Sequence, residues 1–126
     1  MALELAVTYH PGCTVVGVIG TLDAISTPGA KERLDELLAQ GHNRMIIDVA
    51  RLGFCDSSGI WLLLGLHRKT IETGGWIRLA GVNGFLLRLL ALTHLDAAFT
   101  IDEDLTASLI AASAASGPGR DAGGEA

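Results

Sequence analysis

A short polar turn, Asp56-Ser57-Ser58-Gly59, is the part of this chain whose residue types and spacing suit chemistry. It follows an apolar run at 45–49, typical of a strand covered on both faces, and precedes a strongly apolar helical stretch. The hydroxyl of Ser57 or Ser58 can accept from the first helical N–H groups, which lack partners within the helix. Because a helix N-terminus carries about half a positive charge, a phosphate placed there would be held by backbone donors and by the helix dipole.

Ser57 therefore has two compatible roles, as a helix cap and as a site of reversible phosphorylation. As a cap, its side chain would contribute about 1 kcal/mol to stability. A phosphate on Ser57 would add about −1.5 to −2 charge beside the carboxylate of Asp56. The helix N-terminus would offset this repulsion within the fold, whereas a partner carrying its own acid at that point would be repelled. The turn thus predicts a switch in binding.

Other kinds of chemistry have less support in the sequence. A serine nucleophile needs a base and an orienting group, but the G-x-S-x-G elbow does not occur and the histidines have no spacing that identifies a partner. A G-x-x-x-x-G-K-S/T phosphate loop is also missing. Asp23, Asp48 and Asp56 could converge at strand ends as a metal site, yet they have neither histidine neighbours nor tight spacing. We therefore expect no catalysis, metal or cofactor.

Composition narrows the class of protein further. The 126 residues are 49% hydrophobic with a net charge of −5 and contain no long basic run, which disfavours nucleic-acid binding. Cys13 and Cys55 lie far apart and fit small buried residues in a reducing compartment. The N-terminus lacks the features of a signal peptide, and the most apolar window, 60–66, is far too short to span a bilayer. These features predict a soluble, cytoplasmic protein without membrane insertion.

Hydrophobic periodicity predicts strands that alternate with helices. The predicted strands cover 3–10, 14–19, 44–49, 76–80 and 99–101, and the first two form a hairpin around Pro11-Gly12. The predicted helices cover 28–40, 57–73 and 85–92, with a last one to about Ala115; Thr27 caps the first, and Asp102 or Asp104 caps the last.

This order implies an α/β fold with parallel crossovers. We expect a single domain at 1–115, in which about four helices pack on a mixed sheet of four or five strands. The Gly- and Ala-rich segment 116–126 has little to bury and should be a disordered tail.

The predicted second helix has more apolar residues than one face can bury. A stripe of Ile60, Leu63, Leu64, His67 and Ile71 can face the sheet. Outside this stripe lie three further residues, Trp61, Leu62 and Gly65, which the pattern does not place in the core. They form either a docking surface beside the polar turn or a patch buried by neighbouring elements.

Taken together, these motifs resemble the STAS domain, and within it the bacterial anti-sigma factor antagonists. The segment 46–60 is similar to the family's strand and its D-S-S/T-G phosphorylation motif, and Gly20-Thr21-Leu22-Asp23 to its G-x-L-D turn. The segments 78–82 and 86–96 resemble its fourth strand and third helix. The resemblance covers about residues 3–112, with the three motifs in the family's order.

The resemblance implies a partner-switching regulator of transcription that is not itself an enzyme. The unphosphorylated antagonist would bind an anti-sigma factor that is also a GHKL-type serine kinase, and so release a sigma factor. The kinase would use its own ATP to phosphorylate Ser57, and a PP2C-type phosphatase would reverse this. Asp23, Asp56, Ser58, Gly59, Trp61 and Leu62 would surround the phosphorylation site and contact the partner. The alternative is a constitutive STAS adaptor in a stressosome or a lipid-transport ABC assembly.

Three positions depart from the family pattern. Trp61 stands where the family usually has a small residue, one turn after the phosphoacceptor, so the indole would either clash with a conventional partner or anchor a particular one. His94 replaces the usual glycine after the third helix. Asn83-Gly84 replaces a segment in which proline is common.

Overall fold

The structure, a computed structural model, describes residues 2–115, so the predicted tail at 116–126 lies outside the described residues. The strands are β1 (Leu3–His10), β2 (Cys13–Leu22), β3 (Arg44–Asp48), β4 (Leu52–Cys55), β5 (Trp76–Ala80) and β6 (Thr100–Asp102). The helices are α1 (Thr27–Ala39), α2 (Ser57–Glu72), α3 (Gly84–Leu92) and α4 (Leu105–Ala115). Among these helices none is long and apolar enough to cross a membrane.

All six strands belong to one mixed sheet with the order β1-β2-β3-β5-β6. β1 is antiparallel to β2 in the predicted hairpin, and the other strand pairs are parallel. The short strand β4 pairs only with the C-terminal part of β2. The predicted α/β fold is confirmed, with six strands instead of four or five.

The additional strand is β4, where the sequence indicates only a turn. Its four residues include Gly53 and show no alternation of apolar and polar side chains, so periodicity does not indicate a strand there. It becomes a strand because β2 is ten residues long and extends past β3. After a register shift between Gly20 and Thr21, the end of β2 pairs with β4.

Helices cover both faces of the sheet. On one face α1, α2 and α3 pack over alternate strand residues such as Val16, Ile47 and Leu79. On the other face α4 packs over a smaller cluster that includes Val15 and Ile46. Residues 45–47 of β3 are therefore buried on both sides, as predicted for this run.

The buried face of α2 differs from the predicted stripe. Ile60 and Leu63 are buried as predicted, but Leu66 and Thr70 are buried in addition, while Ile71 is 55% exposed. The face is rotated because α2 packs against α1 as well as against the sheet. Periodicity within one helix does not report the position of a neighbouring helix.

Of the predicted N-terminal caps of α1 and α4, the first is wrong and the second is confirmed. The predicted cap Thr27 is instead the first residue of α1. Ser26 occupies the cap position, but its side chain does not cap the helix. The Ser26 hydroxyl donates to the Thr21 carbonyl at 2.8 Å instead. At α4, Asp104 is the cap: its carboxylate accepts the N–H of Ala107 at 2.8 Å.

Candidate functional site

The polar turn lies where two parallel strands end side by side. Leu22 of β2 and Cys55 of β4 are register partners, and the Asp56 N–H donates to the Leu22 carbonyl at 3.2 Å. Asp23 and Asp56 each follow one of these paired residues. The sheet therefore places the G-x-L-D turn directly beside the start of α2, and two residues 33 positions apart in sequence share one site.

Asp56, and neither serine, is the cap of α2. Its backbone is extended (φ −107°, ψ −168°), and its Oδ1 accepts the Ser58 N–H at 2.8 Å. The prediction that Ser57 or Ser58 caps the helix is wrong, because the Asp56 carboxylate accepts the hydrogen bond of the Ser58 N–H. Ser57 begins the helix with an exposed side chain, and its hydroxyl makes no hydrogen bond to any residue that the structure describes. The hydroxyl is thus available to solvent and to a partner.

Gly59 allows the first turn of α2 to lie close to the sheet. A Cβ at this position would be 2.5 Å from Cys55 Sγ and 2.9 Å from Leu22 Cδ2. Any side chain would push the helix away from the ends of β2 and β4. The glycine of the D-S-S-G motif is therefore required for the start of α2 to pack against the ends of β2 and β4.

Asp23 organises its own turn through its carboxylate. Oδ1 accepts the N–H groups of Ile25 and Ser26, both at 3.0 Å, and the Ser26 hydroxyl accepts the Asp23 N–H at 3.0 Å. These bonds, with the Ser26 N–H first, lower the pKa of Asp23 below its usual range. At neutral pH the turn presents a fixed negative charge beside α2.

Three exposed apolar side chains lie close in sequence to Asp23 or Asp56. Ile25 is 90% exposed, Trp61 64% and Phe54 49%. Trp61 was predicted as part of the site, whereas Ile25 and Phe54 were not. The available signal was their position, since each lies within two residues of a site aspartate. Large exposed apolar groups next to polar ones are typical of a protein-binding surface.

A groove of about 410 Å³ extends from Ser58 along the line between α1 and α2. Its apolar lining includes Pro28, Leu62 and Leu66, and Trp61 stands at its edge. Leu62 is half-buried here, so neighbouring elements cover only part of the predicted patch. Gly65 leaves the groove open, since a Cβ there would contact nothing within 4 Å.

Charged side chains close the far end of the groove. Lys31 and Lys69, one from each helix, donate to Asp35 at 2.7 and 2.8 Å. Both bonds, with that from Lys31 first, lower the pKa of Asp35. The groove is thus an apolar channel with a polar rim beside Ser57.

The three aspartates considered from the sequence as a metal site do not come together among the described residues. Asp48 ends β3, and its carboxylate accepts the Ala50 N–H at 3.1 Å instead of joining Asp23 and Asp56. In the part of the chain that the structure describes, no group of three or more His, Cys, Asp or Glu side chains could hold a metal. Burial raises the pKa of the Cys55 thiol to about 11, so this sulfur beneath the turn is protonated at neutral pH.

Comparison with known proteins places this fold and site in a family. The model of the STAS domain matches residues 4–108, and the chain therefore belongs to the STAS domain family. An anti-sigma F factor antagonist from Paenibacillus polymyxa is 27% identical over 96 residues, which are 75% of this chain and 82% of that protein. An anti-sigma-B factor antagonist from Bacillus subtilis (strain 168) is 29% identical over 75% of this chain and 86% of that protein.

One solved structure is similar to this chain in both fold and sequence. The crystal structure of an anti-sigma factor antagonist from Mycobacterium paratuberculosis is 26% identical, with a TM-score of 0.76. The match covers 89% of this chain and 95% of that one. The family resemblance seen in the motifs is confirmed.

Proposed function

We propose that this protein is an anti-sigma factor antagonist whose binding is switched by phosphorylation of Ser57. The observation that carries the proposal is the division of roles at the start of α2. Asp56 caps the helix, which leaves the Ser57 hydroxyl exposed and without a hydrogen bond among the described residues. A kinase can modify such a hydroxyl without breaking a bond that the fold needs.

Phosphorylation changes the charge of this surface more than its shape. The phosphate adds about −1.5 to −2 charge beside Asp56 and the neighbouring Asp23 turn. Inside the protein the N-terminus of α2 offsets the repulsion, because its N–H groups and dipole favour an anion. A partner that places an acidic group against Ser57 has no such compensation and is released.

The surroundings of Ser57 support a binding face for a protein. Ile25 in the Asp23 turn and Trp61 in the first turns of α2 are large, exposed apolar side chains that can anchor a partner. The charges of Asp23 and Asp56 would set its orientation, since charge complementarity acts mainly on specificity and association rate. Trp61 and the adjoining groove give this face an anchor that a smaller residue would not provide.

The partner that we propose is an anti-sigma factor of the GHKL serine-kinase type, in the cytoplasm. Binding of the unphosphorylated protein would release a sigma factor, and the kinase would reverse binding by transferring phosphate from its own ATP to Ser57. A PP2C-type phosphatase would regenerate the active form. In this scheme the protein is a non-catalytic regulator without a cofactor.

The charge on Ser57 provides the first test. We expect Ser57→Asp to weaken binding to the partner kinase at least tenfold, which corresponds to about 1.4 kcal/mol, with an unchanged unfolding transition. Thr106→Asp is the matched control, because Thr106 is also exposed in the first turn of a helix, α4, which packs on the other face of the sheet. Equal affinities of Ser57→Asp and wild type would contradict the switch.

Phosphoryl transfer is tested directly by intact mass and site mapping. The protein is incubated with ATP and each GHKL-type kinase that co-purifies with it. One added phosphate on Ser57 with loss of the complex supports the proposal. No phosphate with a complex that persists would instead indicate a constitutive STAS adaptor.

A further inference from the structure

A second concave site lies at the other end of the sheet from Ser57. It is a pocket of about 350 Å³ between the β1–β2 hairpin and the segment that joins α1 to β3. Its lining includes Tyr9, His10, Thr14, His42 and Arg44. β2 begins at this pocket and ends ten residues later beside Asp56, a separation of about 30 Å. We call it the hairpin pocket.

His42 is held in the hairpin pocket by two contacts. Its Nδ1 is 3.2 Å from Thr14 Oγ, and Thr14 is only 2% exposed. The Tyr9 ring packs against the imidazole with ring centroids 4.8 Å apart. Nδ1 is thus engaged by Thr14, and Nε2 has no hydrogen-bond partner among residues 2–115, so Nε2 is available to a ligand.

The side chains of the pocket offer hydrogen-bond donors and positive charge. Among residues 2–115, no aspartate or glutamate lines it, although the whole chain has a net charge of −5. Arg44 forms no ion pair with any described residue, whereas Lys31, Arg33, Lys69 and Arg78 each do. The unpaired guanidinium of Arg44 matches the geometry and charge of a phosphate group, and His10 and His42 line the same pocket.

Two neighbouring groups could oppose an anion, the C-terminus of α1 and the Cys13 thiol. α1 ends at this pocket, and a helix C-terminus disfavours negative charge. However, the Leu37 and Leu38 carbonyls accept the N–H groups of His42 and Gly41, both at 3.0 Å. Burial raises the pKa of the Cys13 thiol, so this lining residue carries no charge at neutral pH.

We propose that the hairpin pocket binds the phosphate group of a small phosphate monoester. Arg44 and the two histidines hold the phosphate, and the Tyr9 ring, which packs at an angle of 37° against the His42 ring, provides an apolar surface for the organic part. The pocket is large enough for more than the phosphate alone, since small-molecule sites begin at about 300 Å³. This site is independent of Ser57 and of the function proposed for it.

Titration of the full chain with inorganic phosphate, followed by amide chemical shifts, tests the site. We expect saturable shifts confined to residues 9–14 and 41–44, with a Kd of about 1 mM or tighter. Chloride at matched ionic strength should not reproduce them. Arg44→Gln should weaken binding at least tenfold, while Arg68→Gln, an exposed and unpaired arginine on α2, should leave it unchanged.

Three outcomes would overturn the proposal. The first is the absence of saturable shifts around the hairpin, and the second is equal binding by Arg44→Gln and wild type. The third is a set of shifts centred on residues 56–60, which would mean that phosphate prefers the N-terminus of α2. Arg44 is exposed and outside the core, so its substitution leaves a folded protein for each measurement.

Discussion

At the scale of single residues, adjacent side chains in the D-S-S-G turn have separate tasks. Asp56 satisfies the Ser58 N–H, and Ser57 remains available at the surface. A serine that also capped the helix would lose its hydrogen bond when phosphorylated. Under the proposed function, the phosphorylated residue and the helix cap are different residues, so phosphorylation of Ser57 would not break the hydrogen bond of the cap.

Substitution by alanine should separate the two roles. We expect Asp56→Ala to lower the free energy of unfolding by about 0.5–2 kcal/mol, because it removes the cap of a long helix. Ser57→Ala should change it by less than about 0.5 kcal/mol, as for other surface positions. Urea unfolding followed by circular dichroism measures both, and a larger loss for Ser57→Ala than for Asp56→Ala would contradict the assignment of the cap.

At the scale of secondary-structure elements, three helices end in the same way with different residues. After α1, α2 and α3 the chain turns through a left-handed residue, Gly41 (φ 92°), Gly74 (φ 81°) and His94 (φ 59°) respectively. After α3 the Leu95 N–H donates to the Leu90 carbonyl at 2.8 Å and the His94 N–H to Ala91 at 3.1 Å, which is a Schellman motif. His94 is the one described non-glycine residue with positive φ.

This conformation is costly for histidine, so glycine should be better at position 94. A left-handed backbone costs a residue with a Cβ about 1–2 kcal/mol, and glycine avoids this cost. Part of the resulting gain in stability is offset, because glycine has more conformational entropy to lose when the chain folds. We expect His94→Gly to raise the free energy of unfolding by about 0.5–1 kcal/mol. Thermal or urea unfolding measures the change.

Gly74→Ala is the matched control for this prediction, since it places a Cβ at the equivalent position after α2. It should destabilise the protein, because φ at Gly74 is +81° although a Cβ there would meet no neighbour. The explanation fails if His94→Gly destabilises the protein, or if Gly74→Ala leaves stability unchanged.

At the scale of the whole molecule, one ion pair connects the last elements to the sheet. Arg78 of β5 donates to Asp102 of β6 through Nε (2.7 Å) and through its terminal nitrogen (3.0 Å). The Ser108 hydroxyl of α4, itself fully buried, donates to the same carboxylate at 2.5 Å. The Asp102 side chain is only 13% exposed, so it is shielded from water and joins three elements.

This network should make stability depend on pH. The Arg78 guanidinium, and secondly the Ser108 hydroxyl, lower the pKa of Asp102 in the folded protein below its usual range. A group with a lowered folded pKa stabilises the fold above its unfolded pKa, about 3.9 for aspartate. That stabilisation is lost as the pH falls through the lower, folded pKa.

We therefore expect Asp102→Asn to lower the free energy of unfolding by about 1.5–3 kcal/mol at neutral pH. The difference from wild type should stay constant down to about pH 5 and shrink below about pH 4. Urea unfolding at a series of pH values measures it, with Asp96→Asn, an exposed aspartate, as the control. A difference that does not change with pH would show that the charge of Asp102 is not responsible.

Much of this architecture follows from local patterns in the chain. The predicted strand at 76–80 has the observed bounds, and β1 matches the prediction at 3–10. The predicted start of α2 at Ser57 is also correct. These elements were predictable because alternation, helical spacing and turn residues act over a few neighbouring positions.

The errors concern choices between local alternatives. Asp56 and Ser57 both suit a helix start, and only the geometry of the turn shows which oxygen meets the Ser58 N–H. Thr27 was a good candidate for a cap, but the Asp23 carboxylate and the Ser26 hydroxyl already order the preceding turn. The exposed positions of Ile25 and Phe54 likewise depend on where the turns lie.

The sequence by itself determined the α/β fold class and every strand and helix except β4. Tertiary structure decided which residue caps α2, that β4 pairs with β2, and that Asp23 lies beside Asp56. It also placed His42 and Arg44 together with the β1–β2 hairpin, and Asp102 between Arg78 and Ser108. The physical reason is that secondary structure depends on neighbours in the chain, whereas hydrogen bonds and packing join residues that only the folded sheet brings together.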